Sequence, residues 1–258
     1  KIFKQVQSSS TALNLCYGDS GTLTHAYVPG TETLSKIGWY FSSDSFFGKN
    51  VKVMFPDSGK YTYKLITTTS NNCKDTLDSN IYIIPRPKAD FTSNTICLNQ
   101  NAVMTDASNS YGYGINNYAW KSKNSSAGNV SVFSYPTSQK GIDSVKLIVT
   151  SGAGCRDSIT KSVFVWSLPL IDISGTNACL GKPITITNNS TIDTGTINAW
   201  AWTEGNGNTS AMKTPTPTYV TDGIKKLVLT ATSDKGCVKK DSINIEVFPL
   251  PKMDFTVT

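Results

Sequence analysis

The stretch Gly141-Ile142-Asp143-Ser144-Val145-Lys146-Leu147-Ile148-Val149-Thr150-Ser151-Gly152-Ala153-Gly154-Cys155 decides the class of this fold. Val145, Leu147 and Val149 alternate with Lys146, Ile148 and Thr150, a two-residue period that gives a strand one apolar face. Glycine-containing turns bound it on both sides, and the next strand carries Ile159, Val163 and Val165. The same pair of strands recurs downstream with Leu227, Leu229 and Ala231. Upstream it recurs with Tyr63, Leu65 and Thr67, followed by Leu77, Ile81 and Ile83. No stretch of ten residues carries an apolar period of 3.6, so the chain reads as all-β.

The cysteines measure the recurrence. Cys16, Cys97 and Cys179 lie 81 and 82 residues apart, and Cys73, Cys155 and Cys237 lie 82 and 82 apart. Trp39, Trp120 and Trp202 each follow the first cysteine of a pair by 23 residues. Gly59, Gly141 and Gly223 keep the register, as do Pro87, Pro169 and Pro251 and also Asp90, Asp172 and Asp254. Such coincident registers mark tandem copies of one unit. The boundaries read as residues 1–85, 86–167 and 168–250, with 251–258 the opening strand of a fourth copy. Lys1-Ile2-Phe3-Lys4 at the start and the early stop at Thr258 read as the edges of a fragment.

About seven short strands per unit, with other segments near Ala89–Thr92, Ala102–Thr105 and Val130–Ser134, suggest an Ig-like β-sandwich. The core is expected around Trp39, Trp120 and Trp202 with Leu65, Leu147 and Leu229. A unit that folds alone should close its own bridge, which gives Cys16–Cys73, Cys97–Cys155 and Cys179–Cys237 at one pole of each sandwich. No CxxC spacing accompanies the single histidine, so zinc is not indicated. Bridges imply an oxidising compartment, hence an extracellular setting.

Composition excludes several functions. The net charge of +6 arises from 24 Lys+Arg against 18 Asp+Glu, spread without a basic block, which argues against nucleic-acid binding. No apolar run approaches the roughly 18 residues that would span a bilayer. One histidine and three glutamates (Glu32, Glu204, Glu246) are a thin inventory for acid–base catalysis. His25 lies beside a strand of the first unit and reads as a surface or edge residue. The chain is therefore expected to have no catalytic residues.

Pro87-Lys88-Ala89-Asp90-Phe91 and Pro251-Lys252-Met253-Asp254-Phe255 open units, and Tyr219-Val220-Thr221-Asp222-Gly223 leads into a long alternating strand. On these residues the chain resembles the PKD family. The cysteine pair with Gly154-Cys155-Arg156-Asp157-Ser158 resembles the PKD-like repeats of Bacteroidetes surface proteins, among them giant gliding-motility adhesins. The family's WDFGDG turn is degraded here to Trp39-Tyr40-Phe41-Ser42, Trp120-Lys121-Ser122-Lys123 and Trp202-Thr203-Glu204-Gly205. The resemblance implies non-enzymatic structural or adhesive stalk repeats of a secreted cell-surface protein. The alternative is an accessory or carbohydrate-binding module array of a secreted polysaccharide- or protein-degrading enzyme.

Two surface features stand out. Tyr40, Phe46 and Phe47 form an aromatic cluster absent from the other units, a candidate glycan contact. Thr76, Ser144, Ser158 and Ser242 sit in Asp-Ser/Thr-aliphatic triplets, resembling the O-glycosylation sequon of Bacteroidetes. Calcium would need converging oxygens that Asp44, Asp57, Asp193 and Asp222 do not visibly assemble, so no cofactor is expected beyond such an ion. Short, Pro-containing linkers (Ile84-Pro85-Arg86-Pro87, Trp166-Ser167-Leu168-Pro169) suggest a semi-rigid rod. Its expected partners are neighbouring repeats of the same chain and surface polysaccharide, with neither membrane insertion nor self-association.

Overall fold

A computed structural model describes residues 8–10, 14–27 and 33–255, and every regular element among them is a β-strand. The second repeat shows the plan. A five-stranded sheet runs in the order Ile96–Cys97, Arg156–Trp166, Gly141–Ser151, Ile115–Lys121, Ser126–Gly128. Facing it is a three-stranded sheet in the order Val132–Pro136, Asn101–Asp106, Phe91–Ser93. The inward residues of both sheets meet in one core, where Phe91, Ala102, Met104 and Phe133 pack with Trp120, Val145, Leu147 and Val149. The five-stranded sheet recurs in the first repeat around Gly59–Thr69 and Lys74–Ile84, and in the third around Gly223–Ser233 and Val238–Phe248.

The tryptophan has one role throughout. Trp39 pairs with Leu65, Trp120 with Leu147 and Trp202 with Leu229 in the same register. All six side chains are essentially excluded from water. Each indole N–H donates to a carbonyl beyond the adjacent short strand: Gly48 O at 3.0 Å, Val130 O at 2.8 Å and Met212 O at 3.0 Å. The buried ring therefore leaves no polar atom unsatisfied.

The Gly141–Ser151 and Arg156–Trp166 strands are each 11 residues long and pair along their whole length. This length overturns the expected internal bridges. Cys97 sits on a short strand parallel to the last one, opposite Trp166, at the carboxy-terminal pole of its sandwich. Cys155 immediately precedes Arg156, at the other end of the same last strand. The two cysteines are thus separated by a full strand, about 35 Å at about 3.4 Å per residue. A disulfide needs Cα atoms within about 7 Å, so neither Cys97–Cys155 nor its counterparts Cys16–Cys73 and Cys179–Cys237 can form inside a repeat.

Residues 249–255 run without strand pairing, and the rest of the expected fourth opening strand, 256–258, lies outside the described residues. Replacing Trp120 by Ala should lower the stability of the second repeat by about 3–5 kcal/mol, through lost burial and the cavity left behind. Urea unfolding followed by amide exchange in Gly141–Ser151 would measure it. A loss below about 1 kcal/mol would show that the ring is not the keystone of that core.

Candidate functional site: the joint between repeats

The cysteines bridge neighbours. Cys16 is bonded to Cys155 and Cys97 to Cys237, each with Cα atoms 5.6 Å apart. The first cysteine of one repeat, at its carboxy-terminal pole, meets the second cysteine of the next, at its amino-terminal pole. Cys73 and Cys179 are free and exposed.

Local sequence fixes both halves. The second cysteine closes a tight turn between the two long strands. Ser151 N–H donates to Cys155 O at 2.8 Å, and Cys155 N–H to Ser151 Oγ at 3.2 Å. The residue before it occupies the left-handed region: Gly154 at φ 87° and Gly236 at φ 77°. A side chain there is strained, so glycine suits the position. The first cysteine is held by parallel pairing to the last strand, with Leu98 N–H donating to Trp166 O at 2.9 Å.

Polar contacts accompany each bridge. At the first joint Arg86, from the linker, donates through Nε to Tyr17 O at 2.7 Å and through Nη1 to Arg156 O at 3.0 Å. Its second terminal nitrogen pairs with Asp19. One guanidinium fork thereby ties the residues after Cys16 to the residue after Cys155, which suits its rigid, multiple-donor geometry. Asp157 completes this side by accepting Ala89 N–H at 2.8 Å. The second joint uses different groups: Lys140 pairs with Asp193 at 2.7 Å, and the Lys235 ammonium sits 5.0 Å from the centre of the Trp166 ring. Thr194 Oγ1 donates to Ser167 Oγ at 3.0 Å.

The other candidate residues take no part in these contacts. Phe46 turns toward the first core, edge-on to Phe41 at 6.0 Å, and leaves Tyr40 and the exposed Phe47 at the surface. Lys36 stacks over Phe47 at 4.8 Å. Thr76, Ser144 and Ser158 are exposed and Ser242 is half-buried. Thr76, Ser158 and Ser242 share one register position, opposite Ile66, Ile148 and Val228. Among the described residues no three His, Cys, Asp or Glu side chains converge as a metal site. Asp90 is a structural residue: Lys161 bonds its carboxylate and, with the Phe91 amide, holds it below the ordinary carboxylate range.

His25 departs from the expected surface position. It lies on Gly21–Tyr27, the central strand of its three-stranded sheet, and is buried. Loss of hydration, reinforced by Lys49 and opposed by Asp75, depresses its pKa below the ordinary 6.5. The folded state therefore binds fewer protons than the unfolded one. Stability of the first repeat is full at neutral pH and falls as pH drops through about 6.5. Amide exchange in Gly21–Tyr27 should accelerate between pH 7.5 and pH 5.5 after correction for the intrinsic rate. His25→Leu should remove that change, and an unaltered pH response in the variant would contradict it.

Residues 166–247 match the sequence family described as PKD domain. Among solved structures, the PKD1 domain of Vibrio anguillarum Epp is similar at 25% identity over 32% of this chain and 96% of that one, with a TM-score of 0.31. The PKD1 domain of the Vibrio cholerae metalloprotease PrtV is similar at 30% identity over 31% of this chain and 98% of that one, with a TM-score of 0.29. Three N-terminal domains of the bacteriophage RB49 Hoc protein align at 11% identity over 95% and 99% of the two chains, with a TM-score of 0.49. No curated protein sequence matches the chain significantly.

Proposed function

Taking the chain as an array of PKD-like repeats, one of them matched to the family over residues 166–247, we propose that it is a load-bearing stretch of an extracellular cell-surface stalk, of the kind that carries adhesins. The observation that carries this reading is the placement of both disulfides between repeats, Cys16 to Cys155 and Cys97 to Cys237. Sandwiches joined by a peptide linker alone would hinge at that linker and pass all tension through one backbone. A bridge beside the linker adds a second covalent attachment, which opposes bending and divides the load. Oxidised bonds of this kind persist outside the reducing cytosol.

The polar contacts reinforce the same arrangement. Arg86 is partly exposed and screened by water, so its ion pair contributes little alone. Its value is geometric, since it orients the linker against both cysteine-bearing segments. The array itself carries no chemistry in this reading. Its neighbouring repeats are its closest partners, and surface polysaccharide is an outward contact for Tyr40 and Phe47.

The test is to place a site-specific protease site between Pro85 and Arg86 and cut it after the protein has folded. Two pieces held under tension in an optical trap should stay joined after cutting and part only when reductant is added. Separation on cutting, without reductant, would mean that the first joint bears no load through Cys16–Cys155.

A further inference from the structure

We infer that Cys73 and Cys179 are the two complementary halves of one more joint, each built to bridge a further repeat of this design. Neither is an isolated thiol by geometry. Around Cys73, Thr69 N–H donates to Cys73 O at 2.9 Å and Cys73 N–H to Thr69 Oγ1 at 3.3 Å, the contacts that Ser151 makes with the bridged Cys155. Asn72 replaces the preceding glycine and takes the same left-handed backbone, at φ 63°. Cys179 pairs in parallel with Phe248, as the bridged Cys16 pairs with Ile84 and Cys97 with Trp166. Leu180 N–H donates to Phe248 O at 2.9 Å, the contact that Leu98 makes with Trp166 O at the bridged joint.

The surroundings of Cys179 give a second, independent observation. At the bridged joints Ile84 is buried, Trp166 is half-buried and both Pro87 and Pro169 are buried. Among the described residues the corresponding positions of the third repeat are exposed: Phe248 is 42% exposed, Leu250 is 56% exposed and Pro251 is exposed. Cys155 and Cys237 are fully covered, whereas Cys73 is open. An apolar pole beside a first-type cysteine and an open turn carrying a second-type cysteine are the two surfaces that meet at each existing joint. The partner is therefore another PKD-like repeat presenting the opposite half.

The bond forms by exchange with a small disulfide oxidant, RSSR. The Cys179 thiolate attacks one sulfur of RSSR, giving a mixed disulfide and releasing RS⁻. The Cys73 thiolate of the partner then attacks the Cys179 sulfur and expels the second RS⁻. Two thiols are oxidised, one RSSR is reduced to two RSH, and the two protons end on the released thiols. This inference concerns the joint alone and holds whatever the array is used for.

A second copy of this chain supplies the partner in the test. Cys73→Ser, which keeps Cys179, and Cys179→Ser, which keeps Cys73, are given different masses, mixed and oxidised with glutathione disulfide. Non-reducing gels and mass spectrometry then count the products. The Cys179–Cys73 heterodimer should dominate, and the unmutated chain should form head-to-tail ladders that collapse with reductant. Random coupling, with heterodimer no more abundant than the two homodimers together, or glutathione adducts with no dimer, would overturn the inference. Either failure would leave Cys16–Cys155 and Cys97–Cys237 untouched, so it is distinguishable from a failure of the load-bearing reading.

Discussion

The length of the last strand of each repeat is the constraint on which the rest depends. Arg156–Trp166 is 11 residues long, with one cysteine beside its end and the other just before its start. A rigid extended strand between two thiols forbids them to meet and aims each at a neighbour. Pairing by opposite poles follows, and with it the staggered bridges across 139 and 140 residues of sequence. The bridges do not close a loop inside one repeat, so each sandwich is stabilised by its own core around its tryptophan.

The same geometry sets the covalent route through the array. From Cys155, tied to the repeat before it, 24 residues lead to Cys179 at the far pole of the third repeat. Eleven of them are the Arg156–Trp166 strand, already extended. At about 3.4 Å per residue, the full reach of that segment is about 80 Å, little more than two repeats placed end to end. An internal bridge would have left those 24 residues as slack for an unfolding repeat to release. Were Cys179 bridged in turn, as inferred above, those residues would be close to full extension in the folded array, and most strands of each sandwich would hang beside the loaded route.

Much of this was legible in the sequence. The alternation at Val145, Leu147 and Val149 gave the strand, and the recurring Trp120 gave the core, because burial on a pleated surface imposes a two-residue period. The repeat length followed from cysteine spacing alone. The pairing did not, because spacing ranks all bridges inside a unit as shorter loops and says nothing of which pole a residue occupies. A signal existed: Cys97 follows the opening strand and Cys155 precedes the closing one, and both strands run from the amino-terminal to the carboxy-terminal pole. Burial of His25 was hidden as well, since a strand becomes central only through partners distant in sequence.

The measurement that bears most directly on the account is disulfide mapping of the oxidised chain, by proteolysis under non-reducing, thiol-blocked conditions and mass spectrometry. Bridging between opposite poles should yield peptides linked through Cys16–Cys155 and Cys97–Cys237, with Cys73 and Cys179 recovered as blocked thiols from monomeric protein. Linked peptides joining Cys16 to Cys73 and Cys97 to Cys155 would contradict it, and would require a last strand too short to separate the poles.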